Sequence, residues 1–103
     1  MQTFSITMPI PFSSIVAAAS DVLIRTVGEE SVVLNLQTEH YLGLDDVSTR
    51  IWQLLTAGGS IQSAYETLLT EYEVDPEQLR RDLDDFVQEL IQLQLVELKT
   101  TGQ

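Results

Sequence analysis

The side chains that could carry chemistry are few. His40 is the single histidine in 103 residues. A lone histidine at a strand start reads as a partly exposed structural residue rather than a metal ligand or general base. Asp82, Asp84, Asp85 and Glu89 cluster on one helix and could in principle offer oxygen ligands to a hard cation. Their spacing matches no calcium loop or spaced acidic motif, so they read as a solvated helix face. Cysteine is absent, which removes disulfides, thiolate zinc sites, iron–sulfur clusters and thiol nucleophiles. No phosphate-cradling glycine loop, nucleophile elbow or Cys/His pair is present, and Gly58-Gly59 ends a helix rather than opening one. The expectation is a protein that is not an enzyme, with no cofactor and no bound metal.

Charge is more informative. Five Lys+Arg stand against sixteen Asp+Glu, a net charge of -11. Such a chain repels phosphate backbones and steers toward neutral or basic partners, unless the acidic surface serves solubility alone. The N-terminus lacks a basic region, and "IVAAAS" is too short and too weakly flanked for a signal peptide. No apolar run approaches the roughly 20 residues of a membrane span. A cytoplasmic protein that touches neither membrane nor nucleic acid is expected.

The elements follow from periodicity. Residues 1–20, with two prolines in "MPIPF", read as an extended arm. "DVLIRTV" (21–27) and "SVVLNL" (31–36) read as β-branched strands joined at Gly28. "HYLGL" (40–44) completes a three-strand antiparallel meander. Val32, Leu34 and Leu36 share one face, as do Leu42 and Leu44, so one sheet face is apolar and needs helices over it. At residue 45 the period changes from two to 3.6: Val47, Ile51, Leu54 and Leu55 mark a helix from about 46 to 57, with Asp45 or Asp46 as N-cap. Ser60 caps a second helix. Asp75, Pro76 and Gln78 open a third, reaching about residue 93 with Leu79, Leu83, Phe86, Val87 and Leu90 as its stripe. Val74 and Leu79 are placed as a hydrophobic staple at its start. "LVEL" (95–98) is a last short strand or frayed helix. Trp52 widens the first helix's apolar stripe and belongs to the core, although with Tyr41 it could instead form a binding platform.

Three strands followed by three helices make an α+β domain with the outline of a winged helix-turn-helix: a three-stranded antiparallel sheet followed by a three-helix bundle. DNA binding does not follow. The third helix would enter the groove, and there Arg80 and Arg81 are outnumbered by Asp82, Asp84, Asp85 and Glu89.

The run "VVLNLQTEHYLGLDDVSTRIWQLL" resembles the signature of PqqD-like proteins through Tyr41, Gly43, Leu44, Val47, Arg50, Ile51, Trp52 and Leu55. "VDPEQLRRDLDDFVQELIQLQLVEL" is similar to the family's third helix, with Asp82, Phe86, Leu90 and Leu95 in step. The resemblance covers about residues 15–98, and these motifs are individually ordinary but fairly specific in this order and spacing. It departs from the pattern at Gln94, where a helix-ending glycine is common, and at Ile91, which is apolar where a polar residue is usual. Gln94 predicts a third helix that runs on or ends less sharply.

The resemblance implies a RiPP recognition element: a peptide-recognition domain over residues 21–98, with 99–103 as a polar tail. Such domains bind the leader segment of a ribosomally made precursor peptide. They deliver it to a tailoring enzyme such as a leader peptidase, a cyclase or a radical enzyme, as in pyrroloquinoline quinone and lasso-peptide assembly. Binding is implied to be by strand addition to the third strand, His40, Tyr41, Leu42, Gly43 and Leu44, in a cleft closed by the third helix. Asp82, Asp85, Phe86 and Val87 are the candidates there, though periodicity does not tell which flank of the helix faces the cleft. The physics stands independently, because an edge strand exposes unpaired N–H and C=O groups that an extended peptide satisfies. Gly43 either lets a guest or the following helix approach or relieves crowding at the strand–helix junction. Proline at Leu42 is expected to distinguish a free edge from an internal strand. Rival readings are a generic acidic protein–protein adaptor and a degenerate winged-helix DNA-binding regulator.

Overall fold

Residues 10–99 are described by the computed structural model; the expectations for residues 1–9 and 100–103 lie outside them. The chain order is β1 (Ile15–Ala18), β2 (Val22–Val27), β3 (Glu30–Asn35), β4 (Tyr41–Leu44), α1 (Asp46–Leu55), α2 (Ile61–Glu71), α3 (Pro76–Gln92) and β5 (Val96–Lys99). β2, β3 and β4 form the antiparallel meander, and β1 pairs with β5 in a separate two-stranded ribbon. Part of the expected arm is therefore a strand. The arm's residues before it also brace α2: the N–H groups of Ile61 and Gln62 donate to the carbonyls of Ser14 and Phe12, at 2.9 and 2.8 Å. These are first-turn donors that a helix leaves without internal partners.

The helix starts obey local capping chemistry. Asp45, not Asp46, caps α1 by accepting from the Ser48 N–H at 2.8 Å. Ser60 and Asp75 cap α2 and α3 in the same way. Val74, assigned to a staple with Leu79, is exposed. The end of α3 departs from the sequence expectation. The Leu95 N–H donates to the Leu90 carbonyl and the Gln94 N–H to the Ile91 carbonyl, at 2.9 and 3.0 Å, which is the Schellman pattern. Gln94 adopts φ 61° to make it. The helix thus stops sharply without the glycine, at the cost of a left-handed side-chain-bearing residue.

α1 packs on β3, β4 and β1, while α3 packs on α2 and β5. The core between them holds Val33, Leu44, Trp52, Leu55, Leu68, Leu83 and Leu90, all buried. Trp52 is core. The face of β3 that turns inward carries Ser31, Val33 and Asn35, so Val32, Leu34 and Leu36 share the opposite, outer face. Two polar residues can point inward because both find partners. The Ser31 and Thr49 hydroxyls meet at 2.7 Å and tie β3 to α1. Asn35 donates to the Gln94 carbonyl at 2.7 Å and accepts from the N–H groups of Gln37 and Thr38. That one side chain shapes the β3–β4 turn and fastens it to the end of α3.

Candidate functional site

β4 is an edge. It pairs with β3 from Leu34↔Tyr41 to Ser31↔Leu44, and among the described residues no strand lies on its other side. Which of its groups are free follows from one bond. The Asn35 N–H donates to the His40 carbonyl at 2.9 Å, so residues 35 and 40 are a hydrogen-bonded pair. Antiparallel ladders alternate. Leu42 and Leu44 therefore turn their amides and carbonyls toward β3, whereas Tyr41 and Gly43 turn theirs outward. The free edge consists of two donors and two acceptors, on Tyr41 and Gly43. Proline at Leu42 would cut the inner ladder and is not the discriminating change; Gly43 is the position whose N–H faces outward.

Side chains follow the same alternation. Leu42 and Leu44 point into the core, Leu44 being only 4% exposed, while Tyr41 is 67% exposed on the outer face. A Cβ placed on Gly43 would meet nothing within 4 Å. Crowding inside the chain therefore does not explain this glycine.

The residues flanking the strand at either end lie near α3. At the strand's start the His40 ring Nδ1 lies 3.2 Å from the Leu93 carbonyl, at the helix end. Just past its end, Asp45 joins Val47, Ser48, Ile51, Asp82, Asp85, Phe86 and Glu89 in lining a groove of about 370 Å³ between α1 and α3. This arrangement selects the flank of α3 that periodicity left open: Asp82, Asp85 and Phe86 face the groove together, with Glu89 beside them. Val87 does not, because it is 0% exposed and packs in the core. His40 precedes β4 and contacts the end of α3 rather than the groove. The sequence reading placed none of Asp45, Val47, Ser48 and Ile51 at the site. Val47 and Ile51 lie four apart on one helix face, a usable signal, but only the docking of α1 against α3 turns that face into a wall.

The groove has an apolar floor and an acidic rim. None of the five basic residues lines it. Arg50 pairs with Glu71 through two hydrogen bonds at 2.9 and 2.6 Å, and that guanidinium holds the Glu71 carboxyl below its ordinary range. Arg80 lies over the Phe12 and Tyr65 rings, and Arg81 donates to Gln78. At the rim, Asp82 accepts from Gln78 at 2.8 Å. The backbone N–H and hydroxyl of Ser48 hold the Asp45 carboxyl below the usual carboxylate range. Among the described residues no three His, Cys, Asp or Glu side chains are grouped to hold a metal ion. No helix among them is long and apolar enough to cross a membrane. A main-chain edge beside an apolar groove with acidic walls is suited to holding an extended peptide.

Solved structures share this fold. A structure described as "TbiB1 in Complex with the TbiA(beta) Leader Peptide" superposes with a TM-score of 0.74 and 37% identity, covering 79% of this chain and 94% of that one. A second, "Lasso peptide synthetase B1 complexed with the leader peptide", gives 0.72 and 23%, covering 80% and 96%, and supports the fold. No curated protein matches the chain. The model of the family described as coenzyme PQQ synthesis protein D matches residues 30–96, which takes in β3, β4, all three helices and the first residue of β5. This chain belongs to the PqqD family.

Proposed function

We propose that this protein is a non-catalytic recognition element: it binds the leader segment of a ribosomally synthesised precursor peptide and presents it to a tailoring enzyme. The leader adds as a strand to the outer edge of β4, pairing with Tyr41 and Gly43, and its side chains reach the groove at Phe86, Asp82 and Asp85. The observation that carries this reading is the unpaired edge of β4 beside a groove between α1 and α3. Its support is 37% identity to a protein solved with its leader peptide bound. Val87, fully buried, contributes by holding α3 in place rather than by touching the guest. The net charge of -11 disfavours nucleic acid, and the work is assigned to the cytoplasm, where precursor peptides are made.

A fluorescein-labelled TbiA(beta) leader peptide titrated with the protein tests this directly by anisotropy. Saturable binding that a scrambled peptide of the same composition fails to reproduce is expected. Equal binding of both peptides, or of neither, contradicts the proposal.

A further inference from the structure

The meander has a second edge, and it is the longer one. Leu36 N–H donates to the Asp21 carbonyl at 2.9 Å, which makes residues 21 and 36 a hydrogen-bonded pair. By alternation Leu23 and Arg25 bond toward β3, while Val22, Ile24 and Thr26 turn their amides and carbonyls outward. Among the described residues no strand pairs with that side. The helices leave β2 uncovered as well: Ile24, on its inner face, is 37% exposed, and Val27 is 81% exposed. Edge strands are commonly blunted by proline, lysine or a bulge. "VLIRTV" has only Arg25, which points to the outer face.

A groove of about 560 Å³ lies between this edge and β1, floored by Trp52 and Thr56. β1 lines the other wall, but its outer edge is already engaged there, since Ile15 bridges Ser60 and the Ser14 carbonyl accepts from the Ile61 N–H. Ala19 N–H donates to the Leu95 carbonyl, so odd residues of β1 bond to β5 and Val16 and Ala18 face away from it. The groove thus has unpaired main-chain groups along its β2 wall and an apolar floor. In a chain with sixteen acids its lining holds none, and Lys99 is its single charged side chain. This is the reverse of the acid-rimmed groove at β4.

We infer that the groove between β1 and β2 is a second strand-addition site, taking an extended apolar segment of a partner protein that carries a carboxylate opposite Lys99. Peptide bound at β4 and partner bound at β2 would then sit at opposite edges of one sheet, joined by β3. A second copy of this chain is a poorer occupant, because each copy brings a net charge of -11.

The test uses the full chain, amide exchange followed by NMR, and two blocked hexapeptides, TVEVTV and TVKVTV, at about 1 mM, where weak strand pairing is measurable. Val22, Ile24 and Thr26 amides exchange freely in the protein alone. The acidic peptide slows them by about tenfold, the basic one does so less, and Lys99→Glu reverses that preference. The proposal is overturned if these amides are already protected in the free chain, by its own segments or by a second copy. It is equally overturned if neither peptide protects them, if protection falls on Tyr41 and Gly43 instead, or if Lys99→Glu leaves the preference unchanged.

Discussion

Two substitutions at Gly43 separate what its side-chain position and its amide do. Gly43→Val adds a side chain on the outer face, directly opposite Val32, where nothing of the chain lies within 4 Å of the new Cβ. Replacing a strand glycine removes an entropic cost of roughly 0.5–1 kcal/mol, and the new pair with Val32 adds a few tenths. The variant is therefore more stable by about 1 kcal/mol, a rise in melting temperature of roughly 4–8 °C for a domain of this size. Its leader affinity stays within about threefold of the parent, because the added side chain stands off the sheet rather than across its edge. Gly43→Pro keeps the position small but removes the outward N–H and puts a ring on the edge. It breaks no bond to β3, so the fold survives, while leader affinity falls by about tenfold or more, at least 1.4 kcal/mol. Thermal melts by circular dichroism and anisotropy titrations with the labelled TbiA(beta) leader peptide measure both. If Gly43→Val destabilises the protein, the outer face is not open. If Gly43→Pro unfolds the domain, the assignment of outward and inward amides is wrong.

The acidic rim makes a salt-dependent contribution: Asp85→Asn with Glu89→Gln weakens a leader carrying Lys or Arg by several-fold at low ionic strength and by less at high, as titrations at two salt concentrations will show. Gln94→Gly relieves the left-handed residue at the end of α3 and stabilises the fold by about 0.5–1 kcal/mol in urea denaturation, leaving the leader affinity as it was. Because the folded Asp45 carboxyl is held below its ordinary range, its capping contribution is present at neutral pH and is lost as pH falls through the acid range. Asp45→Asn, which still caps, flattens that part of the stability–pH curve.

Much of the fold was legible because the period changes at residue 45 and three good N-caps follow. The β1–β5 ribbon was not, since "IVAA" is four residues long and its partner lies some eighty residues away, beyond the reach of any local pattern. The inner face of β3 runs against its local pattern for a different reason. Val32, Leu34 and Leu36 outnumber Val33 in hydrophobicity, and only the Ser31–Thr49 and Asn35–Gln94 bonds make the polar alternative the buried one. Gln94 departs from the family pattern, and its sharp helix end combines the local Schellman bonds with a tertiary one, from the Asn35 amide to the Gln94 carbonyl, that no local pattern announces. At the site, His40 to Leu44 could be placed on an edge from the meander pattern alone. The flank of α3 could not, because Phe86 and Val87 are equally apolar neighbours. Only the tertiary packing of α3 makes Val87 core and leaves Phe86 as a wall of the groove.

Amide exchange at single-residue resolution, with and without leader peptide, tests strand addition most directly. In the free protein the Leu42 and Leu44 amides are protected by β3 and those of Tyr41 and Gly43 exchange rapidly. On saturation with leader, Tyr41 and Gly43 slow by about tenfold or more while the β2 amides stay as they were. Tight leader binding that leaves Tyr41 and Gly43 exchanging at their free rates would contradict the account.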